Sequence, residues 1–269
     1  MTTKPGSIIC VGTGMTLGAH LTPRAKNYIE QADVVFSLMS DGVVEQWIEQ
    51  MNDDVRSLQP FYQEGTSRMI SYRNMLDAMM IEVRAGKNVV GAFYGHPGVF
   101  AWVPHKIIAQ ATSEGFFAHM EPGISAEDCL IADLGIDPGK DGCMQLEASQ
   151  FMFYRHSVDT SATLILWQPS IAGDQSLARF STGDAYRKLF VEKLLTFYPK
   201  DHVITLYEAP TLPVYEPRIE LLPLHALITA DIHLHTTLII PASRKPEQDT
   251  AMLNRLSELE QTDKSSTQS

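Results

Sequence analysis

The chain has 269 residues, 44% of them hydrophobic and 20% charged, the balance of a folded globular protein of one large or two modest domains. A formal net charge of −11 excludes a generic nucleic-acid binder, whose affinity rests on neutralising phosphates. Three unevenly spaced cysteines, Cys10, Cys129 and Cys143, without a CxxC pair, exclude a disulfide framework and a CxxC zinc site. They predict reduced thiols in a cytoplasmic protein. The N-terminus has no signal-peptide apolar region, and no apolar run is long enough to span a bilayer, so no membrane partner is expected.

In chain order, the first strand is Ser7 to Val11, which breaks at Gly12-Thr13-Gly14. Thr22 can cap a helix that starts at Pro23, with Leu21, Ala25, Tyr28, Ile29 and Ala32 at helical spacing. A strand over Val34 to Leu38, a short helix over Val43 to Met51 and a strand over Val55 to Leu58 follow. Arg68 to Ala85 reads as a long amphipathic helix ended by Gly86. The strand at 88–94 precedes a helix from Pro104 to Glu114, a strand from Phe117 to Met120 and a helix from Ser125 to Leu134. This alternation predicts an α/β fold with a mostly parallel sheet and helices on both faces.

Gly135 to Gly142, rich in Gly, Pro and Asp, reads as a connection between domains, which puts the first at 1–142 and the second at 143–242. The second carries strand-like runs at Thr163 to Gln168, His202 to Tyr207, Arg218 to Leu222 and Thr236 to Ile240, with a helix at 184–197. Residues 243–269 form a polar tail. Met252, Leu253, Leu256 and Leu259 suit one short helix there, and 262–269 suit disorder. No internal repeat is present.

Two apolar runs end in glycine-marked turns, the first at Gly12-Thr13-Gly14 and the second at Tyr94-Gly95-His96-Pro97-Gly98-Val99-Phe100. Ligands of open α/β sheets bind beyond the carboxyl ends of strands, and glycines there let backbone approach a ligand. Gly12-Thr13-Gly14 alone is weak, because Leu17 stands where a dinucleotide fingerprint has its third glycine. With Glu121-Pro122-Gly123-Ile124-Ser125-Ala126, the set resembles the tetrapyrrole methylases, the class III S-adenosylmethionine-dependent methyltransferases. The resemblance covers residues 6 to 242 and implies two α/β domains with the cofactor in the cleft between them.

Two departures matter. Met15-Thr16-Leu17 replaces the Pro-Gly-Asp usual in tetrapyrrole enzymes, and Gly95-His96-Pro97 replaces Gly-Asp-Pro. The strings from Tyr94 to Phe100, Glu121 to Glu127 and Ala132 to Pro138 are instead similar to borosin peptide α-N-methyltransferases. That resemblance implies S-adenosylmethionine as methyl donor, S-adenosylhomocysteine as product and a ribosomally made peptide as substrate. It also implies a homodimer. The cofactor contacts it implies are Gly12, Gly14, Tyr94, Gly95, His96, Val99, Phe100, Ser125, Ala126, Gln168, Tyr207 and Ala209. His96 can bind cofactor or only orient its turn.

Amide methylation needs a base, a group to stabilise imidate-like charge on oxygen, and close placement of the methyl donor, because the amide lone pair is delocalised. Arg68 and Tyr72 lie four apart, so a helix puts them on one face. With Tyr62 and Tyr94 they match by motif the tyrosine and arginine set of borosin catalysis. The reading makes Tyr72 the base, and Arg68 with Tyr62 or Tyr94 the amide orienters. On the residues alone, half-buried tyrosines and a solvated arginine explain the same pattern. His233 and His235 alternate on a strand and flank solvent rather than a metal, and Trp47 and Trp167 belong to the core. No metal is required, since a sulfonium carries the methyl.

The split type of borosin enzyme, whose precursor is a separate peptide with a helical leader, is the nearest likeness. Residues 242–269 are charged and polar, with no run of Val, Ile, Leu or Gly to serve as a methylated core. The alternatives are a C-methyltransferase of tetrapyrrole type and a non-catalytic protein that binds S-adenosylmethionine or peptide.

Overall fold

The computed structural model of the protein describes residues 6–266. The N-terminal half alternates β1 (Ser7–Gly12), α1 (Pro23–Gln31), β2 (Val34–Leu38), α2 (Gly42–Glu49), β3 (Val55–Ser57), α3 (Arg68–Arg84), β4 (Asn88–Phe93), α4 (Trp102–Ser113), β5 (Phe117–Glu121) and α5 (Ala126–Leu134). The five strands form one sheet in the order β3-β2-β4-β1-β5, every pair parallel. All ten elements follow the expected order.

Local chemistry sets their limits. Thr22 accepts a hydrogen bond from the Ala25 amide, and Pro23 fills the first turn of α1. Ser125 and Asp128 form a reciprocal capping box on α5, and Gly135 ends that helix at φ 64°. Side chains of the central strands alternate between two cores, one on each face. Ile8, Cys10, Val34, Phe36 and Val89 pack with Met75, Met79, Met80 and Ile107 from α3 and α4. Val11, Val35, Val90 and Ala92 pack on the other face with Ile29 and Ile48 from α1 and α2. Each such buried side chain contributes about 1.5–3 kcal/mol.

The C-terminal half holds α6 (Pro138–Asp141), β6 (Cys143–Glu147), α7 (Ala148–Phe153), β7 (Thr163–Trp167), α8 (Asp184–Leu194), β8 (Val203–Glu208), β9 (Arg218–Pro223), β10 (Thr237–Ile240) and α9 (Thr250–Ser266). Its sheet runs β6-β7-β10-β8-β9, parallel only between β6 and β7. One face packs Phe151, Phe190, Leu194 and Leu227 against Leu164, Leu166, Leu206 and Leu238. The other face takes α5 of the preceding half: Cys129 and Leu130 pack on Ile165, Trp167, Tyr207 and Ile239. That seam joins the two sheets through one helix.

Three readings need correction. β6 and α7 follow the Gly142 turn directly, and their signal was hidden by the Gly/Asp-rich run before them. His233 and His235 lie in the loop before β10 rather than on a strand. Residues 262–266, expected to be disordered, continue α9; 267–269 lie outside the described residues. Met252, Leu253, Leu256 and Leu259 leave 45–63% of their surface accessible, so the apolar side of α9 is left largely uncovered among the described residues. No helix among the described residues is long and apolar enough to cross a membrane. The three thiols are unpaired; Cys10 and Cys129 are buried and Cys143 half-buried. Trp167 is core, and Trp47 packs partly buried beside the α1–α2 core.

Candidate functional site

The strand ends of the first sheet meet backbone to backbone. Gly14 and Gly95 exchange amide-to-carbonyl hydrogen bonds of 3.2 and 2.9 Å. A Cβ at Gly12 would lie 2.5 Å from the Gly95 carbonyl oxygen and 2.6 Å from Gly123 Cα. The glycine at 12 thus makes room for two protein loops rather than for an open ligand space. Gly95 itself takes φ 65°, which favours glycine. Beyond it, His96 Nδ1 accepts the Gly98 amide at 2.9 Å and its carbonyl accepts the Val99 amide at 3.2 Å. His96 therefore braces the turn. Ser125 is buried, with its hydroxyl committed to Asp128 at 2.7 Å, and Ala126 opens α5 beside it.

Among the described residues, three non-glycines hold positive φ: Phe100 at 50°, Gln168 at 55° and Leu177 at 56°. Such conformations cost about 1–3 kcal/mol each and persist where the surroundings enforce them. All three lie where the two halves of the chain meet. The Phe100 ring sits 5.2 Å from that of Trp167, which directly precedes Gln168. Tyr94, Phe100 and Ile124 leave 44%, 53% and 37% of their surface accessible at this junction. Exposed aromatic and aliphatic surface beside strand-end backbone suits a purine nucleoside, so the residues present fit S-adenosylmethionine. The loop after β8, which contains Ala209, is tied to the loop after β1. Thr16 Oγ1 donates to the Pro210 carbonyl and the Leu17 amide to the Thr211 carbonyl, each at 2.9 Å. Tyr207 differs from the expectation. Its ring is fully buried and its hydroxyl donates to Asp133 at 2.7 Å, so its side chain knits α5 to β8. Burial, then Asp133, pushes that phenol well above its usual range.

The four residues picked for catalysis come together beside this junction. Tyr62 follows a short turn whose Gln59 side chain donates to the Met39 carbonyl. Its ring meets Tyr72 edge-on at 6.1 Å. Tyr72 stacks on Trp102 at 5.9 Å, with Lys106 Nζ over the far indole at 5.7 Å. Burial, then Tyr72 and Tyr94, pushes the Tyr62 phenol far up, and Arg68 opposes this. Burial and Tyr72 also push Tyr94 up. Tyr94 lies deep between protein walls although its surface faces open space. Tyr62 and Tyr94 thus keep their protons.

Arg68 opens α3 and is not a solvated arginine. Only 15% of its side chain is accessible; Nη1 donates to the Arg179 carbonyl at 3.2 Å, and Nη2 lies 3.8 Å from Asp174 Oδ2. Sequence reasoning missed Asp174, whose one signal is the turn-forming Gly173-Asp174-Gln175-Ser176. It also missed Glu147, at the end of β6. Burial raises the Glu147 carboxyl, and the charge of Arg68 acts in the opposite sense.

At the end of β8, Glu208 accepts from Arg218 Nη1 at 2.7 Å and Thr236 Oγ1 at 2.5 Å. His233 Nδ1 and His235 Nε2 lie 2.9 and 3.0 Å from its oxygens. The two histidines thus hold a carboxylate while their side chains stay 45% and 65% accessible, flanking solvent as expected. The three possible metal-ligating atoms lie within 4.8 Å of one another. The Arg218 guanidinium already neutralises the same carboxylate and would repel a cation there.

With two sheets joined through one helix, glycine-lined strand ends and a polar aromatic cluster beside them, the architecture is that of a known class. Residues 7–207 match the tetrapyrrole (corrin/porphyrin) methylases, and the chain belongs to that family. Uroporphyrin-III-C-methyltransferase from Thermus thermophilus shares the fold with a TM-score of 0.62 at 17% identity, over 91% of this chain and 99% of that one. Within the family the sequence is similar to proteins of borosin type. It is 41% identical over 219 residues to a methyltransferase/ribosomally synthesized type I borosin cyclic peptide precursor of Coprinopsis marcescibilis, covering 81% of this chain and 56% of that protein. It is 41% identical over 218 residues to the methyltransferase/omphalotin A precursor of Omphalotus olearius, covering 80% and 52%. The chain spans about half the length of the curated relatives it matches.

Proposed function

We propose that this protein uses S-adenosylmethionine to methylate backbone amide nitrogens of a ribosomally made peptide. The observation that carries the reading is the convergence of Tyr62, Tyr72 and Arg68 with Tyr94, the residue that ends the cofactor-side strand. In this reading residues 1–142 and 143–242 are the two domains, and the cofactor lies between Gly95 to Phe100 and Gln168. When bound, it supplies a methyl group on a cationic sulfur and leaves as neutral S-adenosylhomocysteine.

The chain's own residues do the rest. Arg68 and Tyr94 hold the amide oxygen and stabilise the negative charge that grows there as the N–H proton leaves. Tyr72 Oη takes that proton. Tyr62, held protonated by burial, donates to Tyr72 and lowers the cost of its anionic form. Stacking on Trp102 fixes the Tyr72 ring, so the base needs little reorganisation.

In this reading the methylated residues lie outside 242–269, which hold no apolar stretch resembling a methylated core. Intact-mass spectrometry after incubation with S-adenosylmethionine and a candidate precursor peptide tests the proposal. Stepwise one-methyl increments on the peptide, mapped by fragmentation to backbone nitrogens, are expected. Increments on residues 242–269 would instead make the enzyme self-modifying. Turnover of a macrocycle with no methylated peptide would favour a tetrapyrrole-type activity.

A further inference from the structure

Arg68 belongs to the first half of the chain, yet what fixes it belongs to the second. The turn after β7, residues 174–179, reaches across and caps the start of α3. The Leu177 carbonyl accepts the Arg68 amide at 2.7 Å, and the Ala178 carbonyl accepts the Gly65 amide at 3.1 Å. The first amides of a helix have no partner within it, so an outside carbonyl here joins two segments that otherwise share no secondary structure. Leu177 pays for this reach with its positive φ. The Arg179 carbonyl then accepts Arg68 Nη1.

At the centre of the turn is Asp174, whose side chain is 1% accessible. Its Oδ1 accepts from the Ser176 amide at 3.0 Å and the Ser176 hydroxyl at 2.5 Å. Its Oδ2 accepts the Arg179 amide at 3.1 Å and faces Arg68 Nη2. A buried carboxylate is costly unless hydrogen-bonded and paired, and here its pairing partner is a proposed catalytic group on another domain. Burial pushes this carboxyl up, but Ser176, the Arg179 amide and Arg68 leave it below the ordinary range.

We infer that Asp174 is a positioning residue for the methyl transfer: it orders the 174–179 turn and orients the Arg68 guanidinium toward the substrate amide. The site is therefore complete only when the second half is docked on the first. This inference rests on the reading of Arg68 as an amide-orienting group.

A double-mutant cycle tests it, with Asp174→Asn, Arg68→Gln and the pair, read as the single-turnover rate of peptide methylation and as S-adenosylmethionine affinity by calorimetry. Asn keeps the acceptor for Ser176 and removes the charge. D174N is expected to slow methyl transfer on the order of tenfold to a hundredfold, the scale of a misplaced reacting group, with cofactor affinity changed less than about twofold. In the R68Q background it should slow the reaction little further. Equal slowing in both backgrounds, or none in wild type, would overturn the inference and leave Asp174 a loop brace. A wild-type rate in R68Q would instead sink the reading of Arg68 itself. If D174N does not fold, D174E, which keeps the charge one methylene out of place, is run through the same cycle and judged by the same coupling.

Discussion

Alanine at position 12 would test whether the strand-end glycines serve packing or ligand access. Its Cβ would meet Gly95 O at 2.5 Å, Gly123 Cα at 2.6 Å and Gly123 N at 2.8 Å, where ordinary contact begins near 3.4 Å. The Gly95 side would have to open by about 0.9 Å, the difference between 3.4 and 2.5. All three neighbours are backbone, so no side chain can swing away. Overpacking of this kind costs about 1–3 kcal/mol, and with backbone on both sides Gly12→Ala belongs at the upper end. For a chain of this size about 3 kcal/mol corresponds to a fall of roughly 6–12 °C in Tm. Because the displaced turns include Gly95 and border Ser125, affinity for S-adenosylmethionine should fall at least about tenfold, or about 1.4 kcal/mol. Scanning calorimetry and isothermal titration read both. Gly42→Ala is the control: nothing lies within 4 Å of its Cβ, so it should be neutral or stabilising by up to about 1 kcal/mol. A G12A protein with wild-type Tm and cofactor affinity would refute the packing argument.

Tyr72→Phe should leave S-adenosylmethionine affinity unchanged and slow single-turnover methylation by about a hundredfold or more; an undiminished rate removes Tyr72 as base. For Glu208, burial raises the carboxyl, but Thr236, His233 and His235 more than offset this and leave it below its ordinary 4.5. A depressed folded pKa stabilises above pH 4.5 and is lost as pH falls below it, so the Tm deficit of Glu208→Gln should be largest at neutral pH and shrink on acidification. A deficit that widens toward acid would contradict the clamp. If the homodimer expected from the sequence forms through α9, Leu253→Lys with Leu256→Lys should shift the protein toward monomer in sedimentation velocity, and an unchanged mass would place any dimer contact elsewhere.

The fold was legible where a local rule was enough. Apolar runs ending at Gly12 and Gly95, the Thr22-Pro23 cap and the helix start at Ser125 each mark a boundary within a few residues. Arg68 and Tyr72 were legible as a pair because four residues make one helical turn. What grips Arg68 was not, because Asp174 lies far along the chain and only docking of the two sheets brings it near. Gly12 was misjudged for the same reason: a glycine signals closeness but not whether ligand or Gly123 will approach. The spacing of His233 and His235 imitates a strand, and only the buried Glu208 turns that loop inward. Tyr207 ends a strand as expected, yet α5 covers its ring, a contact between segments that periodicity does not encode.

The stacking of Gly12, Gly95 and Gly123 has a practical corollary for redesign. One wall of the cleft is main chain against main chain and has no spare volume to vary, so libraries there will mostly return unfolded clones. The loop after β8 is different. Val214 and Tyr215 leave 80% and 62% of their surface free, in a loop anchored at its root by Thr16 and Leu17. On that loop side chains can be exchanged without moving the backbone packing of Gly12, Gly95 and Gly123.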